Sequence, residues 1–261
     1  MKIGIIGSGN MATALLSGFL SSNIVETENV YLSDTDEEKL TSWKNKGVNC
    51  YTDNNLVAEN SDIVIFAVKP NILPKVLKDI KTSESKIYLS IAAGFSIEKI
   101  QRFLGDAAKV VRAMPNTPAL VKCGMTVISA NKNVTSEEKT LVKKLLGSVG
   151  EVVELEEKFI NTATALHGSS PAYVYMLIDA MADSGVKHGL KKEDALLLAS
   201  KAVEGSAKMV LESDEHIMKL KDNVCSPGGT TIEAVLALEK GGFKSCVQKA
   251  IDDCIKKADN M

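Results

Sequence analysis

What is scarce in this chain narrows its function first. No apolar run reaches the ~18–20 residues that a membrane-spanning helix requires. The first residues lack the charged segment, apolar core and cleavage site of a secretory signal, so a cytoplasmic protein with no membrane partner is expected. The five cysteines, Cys50, Cys123, Cys225, Cys246 and Cys254, are scattered and odd in number. They form no C-x-x-C pair and no ligand spacing, which excludes a disulfide framework or a zinc site and leaves free thiols and no metal. An excess of one charge is missing too. The net charge is −2, so no basic field points to nucleic acid. Near the end, Lys244, Lys249, Lys256 and Lys257 alternate with Asp252, Asp253 and Asp259, the pattern of a solvated helix face. The three histidines are isolated, and for His167 a structural role is expected rather than a catalytic one.

What is present is a globular composition, 45% hydrophobic and 25% charged, and a length of 261 residues that accommodates one large domain or two smaller ones. The organising stretch is at the start. An apolar run, Ile3–Ile6, ends at Gly7, and a helical pattern begins near Asn10, with G-x-G-x-x-A over Gly7, Ser8, Gly9, Asn10, Met11 and Ala12 between and across them. The first glycine permits a tight turn, the second lets backbone approach a pyrophosphate, and the small third position allows close helix–strand packing. Phosphate would rest on the free N–H groups of the helix start, where the backbone dipoles favour negative charge. An ordinary strand–turn–helix that binds nothing is the alternative.

Further strands and helices alternate to about residue 154. The second strand, Val30–Ser33, ends at Asp34, where a dinucleotide unit places an acid on the adenine ribose hydroxyls. That carboxylate would repel a 2′-phosphate and so favours NADH. Asp34 or Asp36 would equally serve as the cap of the helix that follows. The run Asp62–Val68 is continuously apolar, as suits a parallel strand covered on both faces, and stops at Lys69-Pro70. Met114-Pro115-Asn116-Thr117-Pro118 reads as a rigid loop at the ligand edge of the sheet. The alternation points to a Rossmann-type doubly wound parallel sheet in an α/β protein, with a dinucleotide-binding domain over residues 1–157.

After residue 157 no strand is expected. Helical patterns rich in Ala and Met occupy 163–166, 172–186 and 194–211, giving an all-α second domain over 158–261. About 100 residues of such helices offer a limited core of their own, which suggests a dimer interface. Ser170 and Pro171 suit a helix start. Between two later helices lies Ser226-Pro227-Gly228-Gly229-Thr230-Thr231. A bare cap needs only one Ser or Thr, whereas two glycines and two threonines before a helix make a carboxylate cradle.

These residues together resemble the pyrroline-5-carboxylate reductase family over essentially the whole chain. The resemblance rests on G-x-G-N-M-A at the N-terminus, A-V-K-P at Ala67–Pro70 and M-P-N-T-P at Met114–Pro118. It also rests on S-x-P-A-Y at Ser169–Tyr173 and on S-P-G-G-x-T-I at Ser226–Ile232, followed by Leu238-Glu239. It implies NADPH or NADH as hydride donor and hydride transfer to the C=N bond of 1-pyrroline-5-carboxylate. It implies cofactor contacts from Gly7–Ala12, Asn54, Ala67, Val68, Lys69 and Pro70. Substrate carboxylate would be held by Ser226, Gly228, Gly229, Thr230 and Thr231, with the Thr231 hydroxyl on the ring nitrogen as the catalytic contact. A homodimer through interleaved C-terminal helices, assembling further into decamers, is implied as well. Many relatives favour NADPH, and here Asp34 has no arginine beside it to receive a 2′-phosphate.

Two other readings compete. A β-hydroxyacid dehydrogenase needs an acid or base, typically a lysine on the long helix, but between Pro171 and Leu190 the one lysine is Lys187, near its end, and no K-x-x-x-N occurs. A non-catalytic dinucleotide sensor would keep the Gly7–Ala12 turn and lose the Ser226–Thr231 loop, and both are intact.

Overall fold

The computed structural model describes residues 1–260. Most strands of its first unit are short apolar segments bounded by turn residues, and four of the helices between them start at side-chain caps. In chain order the elements are β1 Ile3–Ile6, α1 Asn10–Ser21, β2 Val30–Ser33, α2 Glu37–Lys44, β3 Asn49–Tyr51, α3 Asn54–Glu59, β4 Ile63–Phe66 and α4 Leu73–Asp79. There follow β5 Ile87–Ser90, α5 Ile97–Leu104, β6 Lys109–Pro115, β7 Gly124–Ala130, α6 Ser136–Leu146 and β8 Gly150–Glu154. Asp36 caps α2, Asp53 caps α3 and Ser96 caps α5, while Thr135 and Glu138 form a reciprocal capping box on α6.

The eight strands form one sheet in the order β3-β2-β1-β4-β5-β6-β7-β8. From β1 the chain winds outward to β2 and β3, then returns to place β4 on the other side of β1. This reversal falls at the C-terminal ends of β1 and β4, the place where open α/β sheets bind ligands. Side chains alternate cleanly between the two faces. Ile3, Ile5, Ile63, Ile65, Ile87 and Leu89 join one buried cluster with Leu15, Phe19 and Trp43. Ile6, Val64, Phe66 and Tyr88 join another with Val57, Leu77 and Ile100. Both faces are therefore covered, as the unbroken apolar run of β4 requires.

The sheet departs from the all-parallel expectation at one place. β7 runs antiparallel to β6, with Pro115 opposite Thr126 and Val111 opposite Ala130. The connecting residues 116–123 hold only the 3₁₀ helix Thr117–Val121, too little chain for a crossover to a parallel neighbour. Met114 and Pro115, expected in a loop, are accordingly the last two residues of β6. β8 returns parallel to β7 through α6.

After β8 the described residues contain helices only. These are the short α7 Ile160–Ala163, a π-helical turn Thr164–Gly168, α8 Ser170–Lys187, α9 Lys192–Glu212, α10 Ile217–Val224, α11 Thr230–Lys240 and α12 Phe243–Asp259. The chain divides into two compact units, residues 1–169 with 255–261, and residues 170–254. Within the second unit α8 and α9 meet through small residues, Gly185 lying against Ala195. Its buried hydrophobic side chains among the described residues are only Ala182, Ala195 and Ala199, whereas Met176 is 73% exposed and Leu211 85% exposed.

Gly18 on α1 is a tight point of the first unit. A methyl group there would overlap Val149 Cγ1, which is buried beneath the helix. Replacing Gly by Ala in a helix interior ordinarily adds ~1 kcal/mol of stability, but overpacking a full core costs about 1–3 kcal/mol. Gly18→Ala is therefore expected to lower stability in urea unfolding followed by Trp43 fluorescence. The double variant Gly18→Ala/Val149→Ala should be more stable than the sum of the single losses. A Gly18→Ala protein as stable as the parent would show that the contact is not tight.

Candidate functional site

The turn between β1 and α1 is built by its neighbours. Gly7 has φ of +99°, a region L side chains rarely adopt, and an added Cβ would stand 2.8 Å from the carbonyl oxygen of Ala67. Three hydrogen bonds tie the turn to the end of β2. Gly7 N donates to Ser33 O at 2.7 Å, and Asp34 Oδ2 accepts from both Ser8 N (2.8 Å) and Ser8 Oγ (2.7 Å). On the other side Ala67 N donates to Ile6 O at 2.8 Å. The ends of β1, β2 and β4 are thus fastened to one another around Gly7.

Gly9 behaves differently from Gly7. Its φ is −70°, open to any residue, and a Cβ there would meet nothing within 4 Å. No conformational or packing demand within the chain requires glycine at this position, so the missing side chain leaves room for something else. Gly9 is also the N-cap of α1, and no side chain caps the helix. The first amides of a helix have no intrahelical acceptor, and the first turn carries no acid to oppose an anion. Asn10, Met11 and Ala12 present those amides. Open space, free donors and a helix dipole of the right sign fit a diphosphate.

Asp34 and Asp36, interchangeable in the sequence reading, have distinct roles in the structure. Asp36 caps α2 through Glu38 N at 3.1 Å. Asp34 reaches back to Ser8, and its Oδ1 accepts from Asp36 N at 3.0 Å. Burial alone would raise the Asp34 carboxyl, but the bonds from Ser8 Oγ, Asp36 N and Ser8 N outweigh it and hold its pKa below the ordinary aspartate value. A depressed folded-state pKa means that the stabilisation from these bonds is complete above the unfolded value near ~4 and is lost as pH falls through the folded one.

Asn54 opens α3 beside this edge, and its Oδ1 accepts from Ser33 Oγ at 2.8 Å. Ala67 and Val68 flank Gly7, with Val68 Cγ1 3.0 Å from where its Cβ would be. Lys69 and Pro70 continue the same strand end, Lys69 being exposed. The residues assigned to the cofactor from sequence therefore gather at one edge, at the ends of β1, β2 and β4.

The second candidate turn lies in the other unit, between α10 and α11. Gly229 N donates to Ser226 O at 3.0 Å, closing a turn in which Gly228 has φ of +69°. A Cβ on Gly229 would overlap Ser226 Oγ. Gly229 is the N-cap of α11, again with no side-chain cap, so the Thr230 and Thr231 amides open the helix uncapped. Ser226 and Thr230 are exposed and Thr231 is half-buried. No titratable side chain lies within 226–231, so the chemistry available is hydrogen bonding from N–H and O–H groups.

Two residues near β6 carry structural roles. The ring nitrogens of His167 stand 2.6 Å from Ala163 O and 2.8 Å from Met114 O, and Asn116 Nδ2 donates to His167 O at 2.9 Å. This ties the π-helical turn to the end of β6. Arg112 was not singled out from sequence, although a cation in the middle of an apolar strand was a signal. It is buried, with Nη1 3.4 Å from Glu157 Oε1 and Nη2 donating to Asn161 Oδ1 at 3.1 Å. Burial pulls its pKa down, with Glu157 opposing that shift. No cluster of metal-ligating residues occurs among the described residues.

Comparison with known proteins places this architecture. A family model described as pyrroline-5-carboxylate reductase dimerisation matches residues 157–261, and one described as NADP oxidoreductase, coenzyme F420-dependent, matches residues 2–94. The pyrroline-5-carboxylate reductase of Escherichia coli is 43% identical over all of this chain and 98% of its own length. The crystal structure of the Plasmodium falciparum pyrroline carboxylate reductase with NADP bound superposes with a TM-score of 0.90 at 38% identity. It covers 99% of this chain and 97% of that one. The Streptococcus pyogenes 1-pyrroline-5-carboxylate reductase gives a TM-score of 0.91 at 34% identity, covering 100% of this chain and 99% of its own. With likeness of this extent over its whole length, the chain belongs to the pyrroline-5-carboxylate reductase family.

Proposed function

We propose that the protein is a pyrroline-5-carboxylate reductase, an oxidoreductase that reduces the C=N bond of 1-pyrroline-5-carboxylate to L-proline with NADPH or NADH. The observation that carries this reading is the presence, in one chain of this family, of two uncapped helix starts suited to anions. One opens at Gly9 and the other at Gly229.

A bound nicotinamide would supply the hydride. The backbone N–H groups of Gly9–Ala12 would bind the diphosphate, the Ser8 N–H being already donated to Asp34, and Asp34, Asn54 and Ala67–Pro70 would hold the remainder of the dinucleotide. The N–H and O–H groups of Ser226 and Gly228–Thr231 bind the substrate carboxylate. A cyclic imine protonated on nitrogen already carries the positive charge that draws hydride to its carbon, so no strong general acid is required. The hydroxyl of Thr231 bonds the ring nitrogen and orients the ring. The remaining task is placement, since holding reacting carbons about 3–3.5 Å apart supplies roughly 7–11 kcal/mol of the barrier.

The exposed apolar side chains of the second unit, Tyr175, Met176, Leu197, Leu198 and Leu211 among them, support a homodimer through the C-terminal helices. Assembly into decamers, domain limits at 1–157 and 158–261, and a cytoplasmic location complete the reading. No helix among the described residues is long and apolar enough to cross a membrane.

Gly9→Ala is expected to fold normally, since its Cβ meets no protein atom, and to weaken dinucleotide binding about tenfold or more by filling the space left for phosphate. Nicotinamide fluorescence titration beside a thermal melt checks this; unchanged affinity would remove Gly9 from the site. Thr231→Ala should lower turnover about tenfold, the worth of one hydrogen bond of about 1.4 kcal/mol, with dinucleotide affinity unchanged. Loss of absorbance at 340 nm with pyrroline-5-carboxylate measures it, and unchanged kinetics would remove Thr231 from the mechanism.

A further inference from the structure

The end of β2 carries a charge arrangement that family membership does not determine. Asp34, Asp36, Glu37 and Glu38 lie within five residues, and the cations near them in sequence are Lys39 and Lys44. Lys39 is committed to Asp36 at 3.3 Å. No arginine lies on this segment. The Asp34 carboxylate is not free to turn away. One oxygen accepts from Ser8 N and Ser8 Oγ, the other from Asp36 N, so moving it would break the contacts that hold the Gly7–Gly9 turn to β2.

In a sheet of this type the acid at the end of the second strand meets the adenine ribose. Resting on the cofactor role given to the Gly7–Ala12 turn above, we infer that Asp34, backed by the acids that open α2, makes this enzyme select NADH over NADPH. A ribose hydroxyl can donate to the Asp34 carboxylate. A phosphate on the 2′ oxygen brings negative charge to a fixed, ionised acceptor, and the one cation whose charge reaches Asp34, Lys39, is already paired with Asp36. The Asp34 carboxyl stays ionised through the physiological range because its bonds lower its pKa. The NADP in the Plasmodium falciparum structure belongs to that protein's own residues, and the preference of this chain follows from Asp34 and its surroundings.

Equilibrium titration of the full-length protein by nicotinamide fluorescence tests this without turnover. NADH is expected to bind at least about tenfold more tightly than NADPH at low salt, a ratio equivalent to ~1.4 kcal/mol. The gap should narrow as salt screens the repulsion. Thr35 is exposed and outside the binding machinery, so Thr35→Arg supplies the missing cation without disturbing the turn. It should raise NADPH affinity several-fold and leave NADH within about twofold. The ratio of kcat/KM for the two cofactors should follow. Binding of both dinucleotides, with NADPH equal or tighter at low salt, would overturn the selectivity alone. Binding of neither would overturn the reading of the turn itself.

Discussion

The close approach of β1 and β4 at Gly7 is the constraint on which the rest depends. Gly7 must take a positive φ, and the space where its Cβ would stand is taken by the Ala67 carbonyl. That pair of demands brings the ends of two parallel strands into contact where the winding direction of the sheet reverses. Ser8 and Asp34 extend the fastening to β2. The turn is held from both sides by short hydrogen bonds, so α1 starts at a fixed position with its first amides facing open space. A binding surface for a diphosphate then needs no cationic side chain, because the donors are backbone groups already placed.

The turns before the two uncapped helix starts use glycine for different reasons. Gly7 and Gly228 supply positive φ, and Gly229 avoids a clash with Ser226. Gly9 satisfies no need inside the protein. The distinction separates glycines that shape a turn from one whose absent side chain leaves open space, the space that the proposed function gives to the diphosphate. The proposed function is likewise compatible with a Ser226–Thr231 loop that lacks histidine, lysine and paired carboxylates. An electrophilic imine needs orientation more than proton transfer, and N–H and O–H donors on rigid turns provide orientation.

The sequence was most legible where local pattern and tertiary demand coincide. Ile63–Phe66 reads as a buried parallel strand because both its faces are covered, and its neighbours in the sheet bear that out. The fold class was readable from β-α alternation in the same way. Less legible were features set by partners distant in sequence. Whether Asp34 or Asp36 capped α2 depended on where Ser8 lies. That Pro115 belongs to a strand depended on β7 folding back antiparallel, which residue types alone do not specify. Arg112 is held by Glu157 and Asn161, contacts far along the chain. The second unit was readable as helical, and its thin core of Ala182, Ala195 and Ala199 reflects small residues that bury little area. Its large apolar side chains stay exposed in one chain, which matches the description of its family model as a dimerisation region.

Amide hydrogen exchange on the full-length protein tests the central claim most directly, because that claim concerns backbone N–H groups. Exchange would be followed for the protein alone, with saturating NADH, and with L-proline. The account predicts that NADH slows exchange across Gly9–Ala12 and that L-proline slows it across Gly228–Ile232. Unchanged exchange at Gly9–Ala12 in the dinucleotide-bound protein would contradict it, since the donors assigned to the diphosphate would then be bound to nothing.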